Sequence, residues 1–262
     1  MPFDFELIAE KLQKADKFIK SDDNLYYQRV DKLIDFYKKS DPYLIEQKRN
    51  EGNHKWLAAK FLDNKITTYS PKQLPKDYRV IAVDGSHIDV DRHSPIKCVV
   101  LNIGTVIFTY GSNPSAILNS SPLTYIGEAE LNIFDSNSTS RSPLQGNLMG
   151  VKRAVMELTF LADTLENYAD GIPTLALVDG SLILWSILGE QEYVIDQLLQ
   201  KEFLEQLHRI KKLSDKGIIL ASYLSYPDTS DVINSLRICL CNEYCSNTVS
   251  YTHLTLPTTP YV

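Results

Sequence analysis

The chain has 262 residues, 44% of them hydrophobic, and a net charge of −6. This is the composition of an ordinary globular protein, and it excludes a disordered or collagen-like chain. No apolar run reaches the roughly 18 residues of a membrane helix, and the first residues lack the features of a secretory signal. With only four cysteines, no disulfide framework is expected, and a cytoplasmic location is predicted.

The first 66 residues are predicted to form an N-terminal helical segment. Apolar residues recur there at spacings of three and four, which indicates one buried stripe of a helix; they are Phe5, Ile8, Leu12, Ala15 and Ile19. Breaks at 21–24 and 41–42 divide the segment into three helices. We interpret it as a hairpin that packs on the main domain or makes a dimer contact. Residues 67–78, with Pro71 and Pro75, are predicted to be a linker.

A group of closely spaced strands follows the linker. Apolar, β-branched runs predict strands at 79–83, 96–103 and 105–110, with Gly104 separating the last two. Residues 128–134 are a further candidate strand. Short connections between such strands are typical of an antiparallel meander.

The second half of the chain alternates helices with strands. Helices are predicted at 145–168, at 190–213 and from 229, and strands at 174–178 and 217–223. Such alternation implies parallel strands joined by right-handed crossovers. An antiparallel meander followed by a βαβα arrangement predicts an α/β protein with a ribonuclease H-like mixed sheet.

The tetrapeptide Val-Asp-Gly-Ser occurs twice, at Val83–Ser86 and at Val178–Ser181. An apolar strand precedes each copy, so Asp84 and Asp179 are expected at the carboxyl ends of neighbouring strands, where open sheets place their sites. The alternative is a simple turn, because Asp-Gly is a common turn pair. Adjacent carboxylates would repel each other unless a divalent cation lay between them.

A third carboxylate is expected from the intervening helix, and Glu157 is the best candidate. It lies nearly opposite the apolar stripe of that helix, on a face of small residues that would let a substrate backbone approach. The alternative is a surface glutamate paired with Arg153 one turn earlier. Asp84, Glu157 and Asp179 together would form an oxygen site suited to Mn²⁺ or Mg²⁺. Two such ions, about 3.5–4 Å apart, can drive phosphodiester hydrolysis.

Other chemistry has weaker support in the sequence. Ser86 and His87 are candidate substrate contacts, and Arg153 could orient Glu157 or meet a phosphate. Ser86 has no nucleophile elbow around it. Cys239, Cys241 and Cys245 resemble half of a zinc cluster, for which free thiols are the alternative. A phosphotransferase would need a nucleotide-binding loop, which is not found.

Taken together, these motifs resemble the NurA nuclease domain over roughly residues 79–245. The segments that carry the resemblance are Ala82–Ile88, Asp91–His93, Leu101–Gly104, Tyr110–Gly111, Gly150–Glu157, Leu177–Leu182 and Ala221–Ser225. The paired Asp-Gly-Ser motifs in this order make it fairly specific, and it is most similar to the bacterial and cyanobacterial form of the domain.

The resemblance implies a Mn²⁺-dependent DNA nuclease with 5′→3′ exonuclease and single-strand endonuclease activity, acting in DNA end resection and double-strand break repair. It implies a homodimer that works with a hexameric HerA-type ATPase. By motif match the metal-binding acids are Asp84, Glu157 and Asp179. The family also has a late Ala-His pair whose histidine joins the metal site, and this sequence lacks that segment.

The end of the chain differs from the rest. Residues 249–262 contain four threonines, two prolines and no charge, so a non-native tail is expected there, with a genuine irregular tail as the alternative. The expected domain is then 79–248, a nuclease domain truncated at its C-terminus. A truncated chain could instead be a non-catalytic interaction module that docks on a HerA-type ATPase.

Overall fold

The computed structural model describes residues 8–9, 11–12, 27–28, 30–51, 57–60, 62, 69–89, 97–225 and 229–240. The chain divides into two compact units, one made of Met1–Pro71 with Pro227–Val262 and the other of Lys72–Tyr226. No helix within these described ranges has the length and apolar character that a membrane span requires.

The larger unit is built on a mixed sheet of five strands. The strands are β1 (Tyr78–Ile88), β2 (Cys98–Tyr110), β3 (Ser115–Ile126), β6 (Thr174–Asp179) and β7 (Ile218–Tyr223). Their order in the sheet is β3-β2-β1-β6-β7. The pairs β1–β2 and β2–β3 are antiparallel, whereas β1–β6 and β6–β7 are parallel. This is the ribonuclease H-like arrangement expected from the sequence, which is therefore confirmed.

The strands that form the meander differ from those predicted. Residues 96–103 and 105–110 were expected to be two strands, but they belong to the single strand β2. Gly104 does not interrupt that strand, because it is paired with Asp84 on one side and with Ser120 on the other. The third strand is β3, which the sequence analysis missed. It lies at the sheet edge, is mostly exposed and contains Pro122, a residue that sheets accept essentially only at edges and bulges.

The predicted strand at 128–134 is also corrected. Residues Gly127–Glu130 form a short helix, α3, and only Asn132–Phe134 form a strand, β4. This strand pairs with β5 (Arg141–Pro143) in a separate two-stranded sheet.

Helices cover one face of the large sheet. The long helix α4 (Asn147–Asn167) packs against β1, and a second helical stretch consists of α5 (Glu192–Ile195), a π-helical segment (Asp196–Phe203) and α6 (Leu204–Lys212). Alternate strand residues point to this helix-covered face and are buried, among them Ile81, Val83, Leu101, Ile103 and Ala176. The intervening residues, which include Asp84, point to the opposite face.

A buried arginine ties the start of β1 to the end of α4. The guanidinium of Arg79 donates hydrogen bonds to both carboxylate oxygens of Asp170, at 2.9 and 3.0 Å, and to the carbonyl of Tyr168 at 2.9 Å. It also lies over the Tyr168 ring, 4.8 Å from its centre. Since Gly85, later in β1, contacts Glu157, earlier in α4, the helix runs antiparallel to the strand.

The smaller unit is helical in its described part. A helical segment at 30–39 (α1), α2 (Pro42–Glu51) and α7 (Asp231–Leu240) share a small core of Leu33, Ile45 and Leu236. α7 also bonds to the 57–60 segment: Ser235 Oγ donates to the carbonyl of Ala59 at 2.8 Å.

The predicted domain limits at 66 and 248 stay predictions. Most of the predicted helix over 5–19, the Asp91–His93 motif, Cys241, Cys245 and the 249–262 tail lie outside the described residues.

Candidate active site at the carboxyl edge of the sheet

The two aspartates of the repeated motif lie on adjacent strands. The parallel register pairs Val83 of β1 with Val178 of β6, so Asp84 and Asp179 follow one residue later on each strand. Neighbouring strands are about 4.8 Å apart, and alternation directs both side chains to the face opposite α4. Both residues are exposed.

Asp84 does not end its strand, contrary to the sequence-based expectation. β1 continues to Ile88 because Asp84 and the four residues after it remain paired with β2. What ends at Val83 is the pairing with β6. Asp179, by contrast, is the last residue of its strand. The two carboxylates therefore lie where β1 and β6 separate.

The two glycines of the motif have different structural roles. Gly85 lies within β1, and a Cβ placed on it would meet Glu157 Oε1 at 2.6 Å and Arg153 Cγ at 2.8 Å. Gly180 has φ +95°, and a Cβ there would meet nothing within 4 Å. The turn interpretation is thus correct for the second copy and wrong for the first, where glycine is required by the close approach of α4.

Glu157 fills the space that Gly85 leaves. Its side chain is 8% exposed, and its Oε1 accepts a hydrogen bond from the backbone N–H of Gly85 at 3.0 Å. Arg153 Nε lies 3.4 Å from the same oxygen. The ion pair expected from the sequence is therefore present, but Glu157 is not the surface residue that this alternative supposed.

The three carboxyl groups act on one another electrostatically. The pKa of Glu157 is raised to about 7, with burial as the largest cause and the nearby charges of Asp84 and Asp179 acting in the same direction. The Arg153 charge and the Gly85 hydrogen bond oppose this rise. A negative charge on Glu157 is thus costly beside two aspartates, and a cation at this edge would relieve that cost.

The donor set fits a hard divalent cation in chemical type, because Mg²⁺ and Mn²⁺ prefer carboxylate oxygens. The three carboxyl groups are less closely grouped than the ligands of a metal-bound site. Among the residues that the structure describes, no group of three or more His, Cys, Asp and Glu side chains is placed to hold an ion. The acids share one edge and one electrostatic environment without forming a closed ligand shell.

The other predicted contacts surround the acids in different ways. Ser86 lies two residues after Asp84 on the same face of β1, opposite Asn102 of β2. The His87 ring is on the other face, with a buried Nδ1 that has no hydrogen-bond partner. Arg153 Nε is also buried without a hydrogen-bond partner.

Two residues at the end of β7 were not among the predicted site residues. Ser225 Oγ donates to Asp179 Oδ1 at 3.3 Å, and Tyr223 is the register partner of Asp179. The available signal was the position of the predicted strand at 217–223, because the next parallel strand must end at the same edge of the sheet.

The fold and its acidic edge define an α/β protein of ribonuclease H-like topology with three carboxyl groups at one edge. A family model described as the NurA domain matches residues 78–251. The chain belongs to the NurA family. Membership supports a nuclease-type function.

Comparison with solved structures gives only distant similarities. A ribonuclease H1 isolated from compost by a metagenomic approach is 12% identical, with 62% of this chain and 91% of that chain covered and a TM-score of 0.29. The protease–reverse transcriptase of prototype foamy virus is 13% identical, with 68% and 22% covered and a TM-score of 0.33. A foamy viral protease–reverse transcriptase in complex with an RNA/DNA hybrid is 15% identical, with 68% and 22% covered and a TM-score of 0.28. No curated protein matches the chain.

Proposed function

We propose that this protein is a divalent-metal-dependent DNA nuclease that hydrolyses phosphodiester bonds. The observation that supports the proposal is that Asp84 and Asp179 follow paired residues of adjacent strands and that Glu157 contacts the Gly85 backbone beside them, with both aspartate charges acting on the buried glutamate. Family membership supports the same conclusion. The finer activity we propose is 5′→3′ exonuclease and single-strand endonuclease action in DNA end resection and double-strand break repair.

Asp84, Asp179 and Glu157 would hold two Mn²⁺ or Mg²⁺ ions. The metal would supply activation of water and stabilisation of the leaving oxygen. The Gly85 N–H fixes one oxygen of Glu157, and Ser225 holds one oxygen of Asp179. Arg153 carries the positive charge beside Glu157 and would meet a phosphate, while Ser86 would offer a hydroxyl on the face of Asp84.

The test is degradation of end-labelled DNA by the full chain with Mn²⁺, with Mg²⁺ and with EDTA. We expect cleavage with metal and none with EDTA, and a loss of at least 100-fold in Asp84→Asn and in Asp179→Asn. Asp215→Asn removes an exposed carboxylate outside the site and is the matched control. Undiminished cleavage by both site variants would refute the assignment.

The second candidate is a non-catalytic interaction module that docks on a HerA-type ATPase. The open arrangement favours it, because no three metal-binding side chains form a cluster in the described part of the chain. Calorimetric titration with Mn²⁺ separates the two. Binding that weakens in Asp179→Asn supports the nuclease, whereas no binding at millimolar metal supports the module.

The proposed partners are supported by the family, and the proposed location by the small number of cysteines. We propose a homodimer that binds DNA and works with a hexameric HerA-type ATPase in the cytoplasm. Sedimentation of the chain alone and with such an ATPase tests both associations.

A further inference from the structure

The carboxyl edge of the sheet carries a row of side chains that extends beyond the acids. The pairings Ser120–Gly104, Gly104–Asp84 and Asp179–Tyr223 place these residues side by side across all five strands. Parallel register and strand alternation put Asp84, Asp179 and Tyr223 on the same face. The acids thus have small neighbours on one side, Gly104 and Ser120, and an aromatic ring on the other.

The aromatic side of the row is unusually exposed. Tyr223 is 67% exposed although it is held in a strand. Leu224, the next residue, is 50% exposed. Tyr223 is the register partner of Asp179, so its exposed ring lies on the strand next to that acid and is open to a ligand bound there.

The small side of the row is polar. Ser86 of β1 is opposite Asn102 of β2, and Ser120 Oγ donates to Asn102 Oδ1 at 2.9 Å. Gly104 has no side chain beside Asp84, which leaves room there for a sugar–phosphate backbone. Across the same edge, an aromatic ring has the shape and chemistry to stack on a nucleobase.

We propose that Tyr223 is a positioning residue that stacks on an unpaired base next to the phosphate that a divalent cation at Asp84 and Asp179 would hold. The inference rests on the proposed nuclease function and names the substrate feature that this site takes: a base free of its partner strand. A paired base is stacked within its duplex and does not offer its face to the tyrosine ring.

The test is binding of a fluorescein-labelled 12-nucleotide single strand to the full chain, by anisotropy, with Mn²⁺ present and with phosphorothioate linkages that resist cleavage. A set of strands carries one abasic site at each successive position. We expect one position at which base loss weakens binding to the wild type by about 5- to 100-fold. Tyr223→Ala and Tyr223→Leu should weaken binding of the intact strand similarly, with no further loss at that abasic position.

Two controls separate stacking from general effects. Tyr223→Phe keeps the ring and should bind like the wild type, and Tyr43→Ala removes a tyrosine that is 73% exposed in the other unit. If the abasic site weakens binding to Tyr223→Ala as much as it weakens binding to the wild type, the proposal is overturned. It is also overturned if Tyr223→Leu binds the intact strand like the wild type. No binding of the intact strand by the wild type would overturn it too.

The outcome is distinguishable from failure of the proposed function. If Mn²⁺-dependent cleavage requires Asp84 but Tyr223 shows no coupling to a base, stacking is wrong and the nuclease stands. If the coupling is present and the wild type cleaves no DNA with metal, the catalytic proposal fails and base stacking stands.

Discussion

Gly85→Ala is the sharpest test of how the site is assembled. The added methyl group would lie 2.6 Å from Glu157 Oε1, 2.8 Å from Arg153 Cγ and 3.0 Å from Ile103 Cδ1. Real Cβ atoms essentially never approach below 3.0 Å, so α4 side chains must shift. Overpacking of this kind costs about 1–3 kcal/mol, and the lower backbone entropy of alanine offsets about 0.5–1 kcal/mol.

We therefore expect a net loss of about 0–2.5 kcal/mol in the free energy of unfolding, which for a unit of this size is a fall of up to about 10 °C in Tm. Nuclease activity should fall about 100-fold, which is more than the loss of stability alone would cause. The reason is that a displacement of about 1 Å in a catalytic group has an effect of this size. Thermal unfolding and Mn²⁺-dependent cleavage measure the two quantities.

Gly104→Ala is the matched control, since its Cβ would meet only the Asp84 carbonyl oxygen at 3.5 Å, an ordinary contact. It lies in the next strand, directly opposite Asp84. We expect unchanged or slightly raised stability, because alanine is favoured over glycine within a strand. Equal Tm values for the two alanine variants would refute the argument that Gly85 makes room for Glu157.

Three further predictions concern other parts of the larger unit. Asp170→Asn leaves the buried Arg79 without its carboxylate and should lower the free energy of unfolding by about 1–2 kcal/mol. The loss is smaller than for a fully buried ion pair because Asp170 is half exposed. Urea unfolding measures it, and an unchanged midpoint would contradict the prediction. The Arg79 hydrogen bond lowers the pKa of Asp170, so its contribution is complete above the unfolded pKa of about 3.9 and is lost as the pH falls through the lower folded value. Acid unfolding between about pH 4 and 2 should therefore be steeper in the wild type than in Asp170→Asn, and parallel curves would disprove the linkage. Gly180→Ala must adopt φ +95° and should cost about 1–2 kcal/mol through strain alone, measurable as a lower urea midpoint; a stability equal to the wild type would show that the turn relaxes.

The order of elements was predictable because each parallel strand is a short apolar run, and in β1 and β6 the run leads into Asp-Gly. Such runs between helical patterns stand out from their surroundings. β3 was not predictable in the same way. Its residues are mostly exposed and it contains Pro122, so it has neither apolar periodicity nor an obvious strand composition. It is a strand because β2 supplies a hydrogen-bonding edge.

The position of Glu157 could be predicted only in part. The repeated motif and the helix between its copies indicated a third acid, but the apolar stripe of α4 placed Glu157 on the solvent side. The periodicity of hydrophobic residues in a helix does not detect a space that a glycine on a neighbouring strand leaves open. The glutamate is buried because Gly85, 72 positions earlier, has no Cβ.

The contact of Arg79 with Tyr168 and Asp170 has a consequence for the chemistry at the other end of β1. It fixes where α4 stops along the strand, and Glu157 lies eleven residues before Tyr168 on that helix. If α4 were shifted by one residue relative to β1, Glu157 would move by about 1.5 Å along the helix axis and turn about that axis by about 100°. The axial setting of Glu157 therefore depends in part on this contact at the opposite end of β1, and under the proposed nuclease function substitution of Arg79 would lower activity without contact with the reacting groups.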